Sequence, residues 1–215
     1  MSTFLSMTND VLIRLRENQV STVTETAYST LIGKYVNDAK RQCEDAWNWD
    51  ALSTTITLPT VAGTTTYTLT GSGIRQRDVT VNDTTSQARV GNVPLQWIID
   101  QQQLSTVQSG QPTYYAWNGT SSGDSRVEIY PTPDGVYSLK FNMIVPQVDL
   151  SADADIITIP SEPVVAGAVA RALVERGEDG GLSSSEAYAL FKSILADYIS
   201  LEKERFTEYD TFVAV

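Results

Sequence analysis

Arg41–Leu58 reads RQCEDAWNWDALSTTITL, and the chain changes its period inside it. The first half is charged and ends in two tryptophans, as the last turns of an amphipathic helix do. The second half sets Ile56 and Leu58 against threonines, an alternation of period two that belongs to a strand. The fold class follows from what lies on either side of this change.

Upstream, Tyr28, Leu31, Ile32, Tyr35, Val36, Ala39, Cys43, Ala46 and Trp47 recur at three- and four-residue steps, and Thr22 with Glu25 has the spacing of a capping box. The pattern predicts a helix over 22–49. A shorter helix over 8–18 precedes it, with Val11, Leu12 and Leu15 on one face. Downstream, STTITLP and TTYTLTG are separated by PTVAG, which predicts a hairpin. RDVTVND is a third strand, and the residues around Trp97, Ile98 and Ile99 form a short helix lying across the sheet. PTYYAW, RVEIYPTP and GVYSLKFNMIVP are further strands, the last two predicted to pair across PTPDG. Helical grammar then returns. Ser161 is expected to cap a run rich in Ala and Gly at 166, 167, 168, 170 and 172, with Pro163 in its first turn and Gly177 at its end. Ser183 and Glu186 open a last helix over 184–208, along which Ala187, Phe191, Ile194, Tyr198 and Leu201 form a heptad-like seam that Leu190 and Leu195 widen.

Amphipathic helices at both ends each need an apolar partner, and burying them against one another brings the ends together. The expected fold is α+β: a discontinuous helical bundle from residues 1–52 and 151–208, an inserted, mostly antiparallel β domain over 53–150, and an apolar tail at 209–215.

Composition removes most chemistry. The 215 residues include no His and one Cys, so a Cys/His zinc site, a His-activated nucleophile and an internal disulfide are all excluded. Cys43 falls on the apolar stripe and reads as a small buried hydrophobe. A net charge of −11 repels a phosphate backbone. No secretion signal or membrane span is expected, since the most apolar late run, Val164–Val174, is short and carries Arg171. Carboxylates remain as acid–base candidates: Asp153 with Asp155, and Glu175 with Glu178 and Asp179. Their loop and helix-end settings read as solvated charge, and DLSADADI lacks the glycine and terminal glutamate of an EF-hand loop. GSG at 71–73 has no Lys-Ser/Thr ending and reads as a turn. The aromatics Tyr67, Trp97, Tyr114, Tyr115, Trp117, Tyr130 and Tyr137 read as core before they read as a sugar-stacking face. Interaction surfaces are left, above all the tail YDTFVAV, whose Tyr209, Phe212, Val213 and Val215 are expected to engage another subunit.

The succession of NDVLIRLRE, VNDAKRQCEDAWNWDALSTTITL, YTL, GQPTYYAW, VEIYPTPDGVYSLKF and TIPSEPVVAGAVARALVERGEDGG, ending in a Tyr-bearing helix, resembles the head-to-tail adaptor (connector) proteins of tailed phages, of the tail tubular protein A type. The resemblance covers nearly the whole chain. It implies a structural virion protein without enzymatic activity or cofactor, assembled in the host cytoplasm and placed at the head–tail interface. There it would form a ring, usually a dodecamer, between the portal protein and the tail nozzle protein, with the tail fibre as a further partner. Such a ring retains packaged DNA and provides its ejection channel, the DNA passing through the lumen without specific binding. Two other readings remain beside it: a receptor- or carbohydrate-binding tail module built on the aromatic sheet, and a carboxylate hydrolase.

Overall fold

The computed structural model describes residues 2–104, 106–177 and 182–205. Five helices and seven strands follow one another as α1 Phe4–Arg14, α2 Ala27–Ala46, β1 Ser53–Pro59, β2 Thr66–Thr68, β3 Arg77–Asp83, β4 Ala88–Asn92, α3 Leu95–Leu104, β5 Tyr114–Ser121, β6 Asp124–Tyr130, β7 Ser138–Ile144, α4 Ser161–Arg176 and α5 Leu182–Arg205. The fold class is α+β. Two compact units divide the chain, one of residues 1–51 with 147–215, the other of 52–146.

In the helical unit the boundaries lie where side chains cap amides. α1 begins four residues before the expected start, because Thr3 accepts from Ser6 N at 3.1 Å and Ser6 Oγ accepts from Thr3 N at 2.9 Å. Thr8, the first residue of the expected helix over 8–18, is buried within α1. α2 starts at Ala27, not residue 22, for the same reason: Thr26 and Ser29 make the reciprocal box one turn later. Glu25 still caps, but at the preceding turn, accepting from Ser21 N at 2.6 Å. α2 ends at Ala46, where Trp47 turns extended, and Trp49 is buried with Nε1 donating to Cys43 O at 2.8 Å. Ser161 does not cap α4; the N-cap is Pro160 without a side-chain bond, and the Ser161 hydroxyl accepts from Ser2 Oγ. Gly177 closes α4 in the left-handed region at φ 63°, as its sequence position implies.

The small residues of α4 admit neighbours on two sides. A Cβ on Gly167 would stand 3.1 Å from Ala39 Cβ of α2 and 3.1 Å from the Phe191 ring of α5, closer than most Cβ contacts. Val164, Ala168 and Ala172 are fully buried around it. α1 packs on α2 and α4, and Gly33 of α2 leaves room for Phe4 and Val23.

The strands form one curled, mixed sheet in the order β1-β7-β3-β4-β5-β6-β2, with a parallel β4–β5 pair and antiparallel neighbours otherwise. Both expected hairpins are absent. β1 pairs with β7 and β2 with β6, so the two strands flanking PTVAG occupy opposite edges of the sheet. β6 and β7, on either side of PTPDG, are likewise not neighbours. The turn residues are real turns, but the strands they separate are sorted by where their apolar faces can be covered. Leu58, Leu69, Val81, Val90, Tyr115, Val127, Ile129, Leu139, Phe141 and Met143 close into a single core, to which every strand or its flanking residue contributes, which is why the sheet curls. β4 had no clear sequence signal, since Gly91 interrupts its short alternation. α3 covers β5 and β6 with Ile98, as expected of a short helix across the sheet.

Candidate assembly surfaces

Within the helical unit, residues 147–150 are locked onto α2 by buried charge. Lys40 and Glu44 stand one turn apart with both side chains fully buried, 3.1 Å from Nζ to Oε1. Lys40 Nζ also donates to Gln147 O at 2.7 Å and Val148 O at 3.2 Å, while Glu44 Oε1 accepts from Gln147 N at 3.2 Å. Asn37 holds Leu150 through both its amide oxygen and nitrogen. An ion pair out of water is tolerable only with added bonds of this kind. Sequence gave no sign of it, because Lys and Glu at i,i+4 look the same on a solvated face.

The neighbouring loop receives the start of α1. Phe4 N and Leu5 N donate to Asp155 O and Asp153 O, at 2.8 and 3.1 Å. Asp153 and Asp155 are occupied by backbone amides: Asp153 Oδ1 accepts from Val23 N, and Asp155 Oδ2 from Ser151 N and Ala152 N. Those amides hold the Asp155 carboxyl below the ordinary range. Glu175 is exposed near the end of α4, and Glu178 and Asp179 lie outside the described residues. Among the described residues no group of three His, Cys, Asp or Glu side chains gathers as a metal ion requires, and no helix is long and apolar enough to cross a membrane. Cys43 is fully buried, and burial pushes its thiol up to about 12.

Among the described residues α5 exposes three large hydrophobic side chains, where α1 and α4 expose one each. Phe191 and Leu195 of the expected seam are buried against α4, and Ala187, Ile194 and Tyr198 are half-buried. Leu190 and Leu201 are 57% and 54% exposed, with Tyr188 at 44%. The helix is held by Tyr198 Oη donating to Glu162 Oε2 at 2.7 Å and by Glu202 Oε1 accepting from Asp50 N at 3.1 Å. Beside these last contacts a recess of about 560 Å³ opens, lined among others by Trp49, Ile157, Ile159, Pro160 and Arg205. The Ser183 side chain of the expected capping box lies outside the described residues, as do the helix end beyond Arg205 and the four tail candidates Tyr209, Phe212, Val213 and Val215.

In the sheet unit the aromatics are spent on packing. Tyr115 and Tyr130 are buried; Tyr115, Trp117 and Phe141 meet edge-on or tilted at 5.6–6.3 Å, and Trp97 stands edge-on to Tyr114 and Tyr130 at 5.0 and 5.5 Å. Of the seven sequence candidates only Tyr114 is exposed, so no flat sugar-stacking platform forms. Gly71 N and Gly73 N both donate to Asp124 Oδ1, which makes GSG a turn. Glu128 is the one buried carboxylate of β6. Burial pushes its pKa up, but hydrogen bonds from Thr65, Thr66, Gln102 and Asn118 outweigh that and hold it below the ordinary value. Among the described residues the exposed apolar side chains of α5 and the recess beside Trp49 are the open features.

A family model described as SU10 adaptor protein matches residues 2–213. No curated protein matches the chain.

Proposed function

The chain belongs to the SU10 adaptor protein family, and on that premise we propose that it is a head-to-tail adaptor of the tail tubular protein A type. Family membership makes it a phage structural protein of the head–tail junction that contacts other head and tail proteins. The finer reading is ours. Copies close into a ring, usually of twelve, clamped between the portal and the nozzle, with the tail fibre as a further neighbour. The ring retains packaged DNA and later passes it through its lumen.

The observation that carries this reading is the family match along 2–213, both chain ends and the middle included. Charge supports it. At −11 per copy, a lumen lined by part of that charge repels phosphates and lets DNA slide. The contacts between copies are heterologous, as ring closure by rotation requires. We assign residues 1–52 and 151–208 to a discontinuous bundle, 53–150 to the inserted β domain and 209–215 to a tail, with Tyr209, Phe212, Val213 and Val215 engaging the portal or a neighbouring copy.

Gold-labelled antibody against this chain, imaged on purified virus particles, tests the assignment directly. Label at the single head–tail vertex is the expected result. Label on fibre tips would instead select the receptor-binding module, and particles without label would sink both. Deleting residues 209–215 should leave the thermal melt of the free protein unchanged and reduce incorporation into particles; normal incorporation would remove the tail from the proposal.

A further inference from the structure

We propose that the open edge of β1 is the landing strand for residues 211–215 of a second copy, which add to the sheet as an extra strand and link neighbours around the ring. The inference rests on the adaptor reading and says where the tail binds.

β1 ends the sheet, with β7 on one side and no strand on the other among the described residues. Its ladder to β7 runs without a bulge from Ser53 to Pro59. The flanking bonds, Val145 N to Leu52 O and Thr60 N to Tyr137 O, set the parity: even-numbered residues bond to β7 and odd-numbered ones point outward. Ser53, Thr55 and Thr57 therefore present both N–H and C=O to the open side. Pro59 sits in the same outward row, the one place where its missing amide removes no ladder bond. Proteins usually blunt such an edge with charge, proline, a bulge or brevity, and the one proline of β1 stands at its last position. The opposite edge is blunted: β2 has three residues, and the Tyr67 hydroxyl is engaged with Val61 and Thr64. β1 has seven residues and none is charged.

Symmetry restricts what can cover it. Pairing of β1 with its own twin is two-fold, so it would stop at a dimer and could not close a larger ring. The added strand must come from a different segment. Of the stretches outside the described residues, Met1, Ser105, Glu178–Gly181 and 206–215, only the last contains an uncharged run rich in β-branched and aromatic residues, Thr211-Phe212-Val213-Ala214-Val215. Its period-two pattern places Phe212 and Ala214 on one face and Val213 with Val215 on the other. Residues 206–210 separate it from α5 and span up to about 17 Å when extended. Uncharged side chains on both the strand and the edge form no ion pair, so main-chain bonds supply most of the affinity. A few such bonds at each contact are multiplied around a closed ring.

A photo-crosslinking benzophenone amino acid at position 212 of the full-length chain, in particles assembled from mixed ¹⁵N-labelled and unlabelled copies, tests this by mass spectrometry. The expected capture is residues 53–59 of a copy with the other label. Thr55→Pro, which removes an outward amide and leaves the main-chain bonds to β7 but gives up the Thr55 hydroxyl bond to Asn142 Oδ1, should lower that capture and particle incorporation at least about tenfold relative to Thr55→Ala, which gives up the same hydroxyl bond, with matching melts of the two free proteins. Thr55→Ala, which keeps the amide, should retain both. Capture of the portal, capture of β1 within the same copy, or normal incorporation of Thr55→Pro would each overturn the strand addition while leaving the adaptor reading in place. Absence of the chain from the vertex would overturn both.

Discussion

The helical unit carries 10 Lys and Arg against 20 Asp and Glu, whereas the sheet unit carries 5 against 6. Nearly all of the net charge of −11 thus belongs to the part built from both chain ends. The units also differ in how they are closed. The helical unit is made from segments about a hundred residues apart and depends on long-range contacts such as Gly167 with Ala39, or Lys40 with Gln147. The sheet unit is continuous in sequence and closes on an aromatic and aliphatic core. In this protein charge and chain closure are assigned to one unit, and the open hydrogen-bonding edge to the other.

The sharpest way to break the contrast is Lys40→Ala. It leaves Glu44 buried without its cation and should cost about 3–5 kcal/mol in urea unfolding. The double variant Lys40→Met/Glu44→Leu should recover most of the loss. A small effect of the single variant would mean that the helical unit does not rely on this staple.

In the sheet unit one corresponding buried carboxylate is Glu128, which neutral donors stabilise instead of a cation. Glu128→Gln should cost about 1–3 kcal/mol at neutral pH. The sign of its pH dependence follows from a folded-state pKa below the ordinary 4.5. The ionised group contributes stability that is fully present above that value and is lost as pH falls through the lower folded value. Melts recorded from pH 7 to 3 should show wild type and variant converging in acid, and a constant gap would refute the assignment.

Smaller effects test the surfaces. Leu190→Ser and Leu201→Ser should each change stability by less than about 0.5 kcal/mol, since both side chains already face solvent. Any loss of particle incorporation would then report contacts made by α5. At the lower limit, Cys43 should resist thiol reagents at pH 8 in the folded protein and react fully in denaturant. Labelling of the native state would show that the α2 face opens.

Much of this was legible beforehand. The stripe from Tyr28 to Trp47 and the alternation at Ile56 and Leu58 located the switch from helix to strand, and Gly177 marked the end of α4. Helix starts were misplaced by several residues because Thr and Ser recur near both N-termini: Thr3–Ser6 and Thr26–Ser29 compete with Thr8 and Thr22–Glu25, and only packing selects among them. Strand pairing was misread for a different reason. A turn signal reports that the chain reverses locally, and it carries no information about which strand lies alongside. The tail candidates at 209–215 lie outside the described residues, so their place remains a proposal.

By itself, then, the amino-acid sequence determined the periods, and with them the order of the helices and of every strand except β4, the exclusion of His-dependent chemistry and the excess of negative charge. These are local or additive properties, readable from side-chain spacing and composition. Tertiary structure alone decided that β1 and β2 sit at opposite edges, that Lys40 and Glu44 are buried rather than solvated, and that α5 keeps one apolar flank uncovered. Each of those depends on which distant surface covers a residue, a relation set by the joint burial of the whole core.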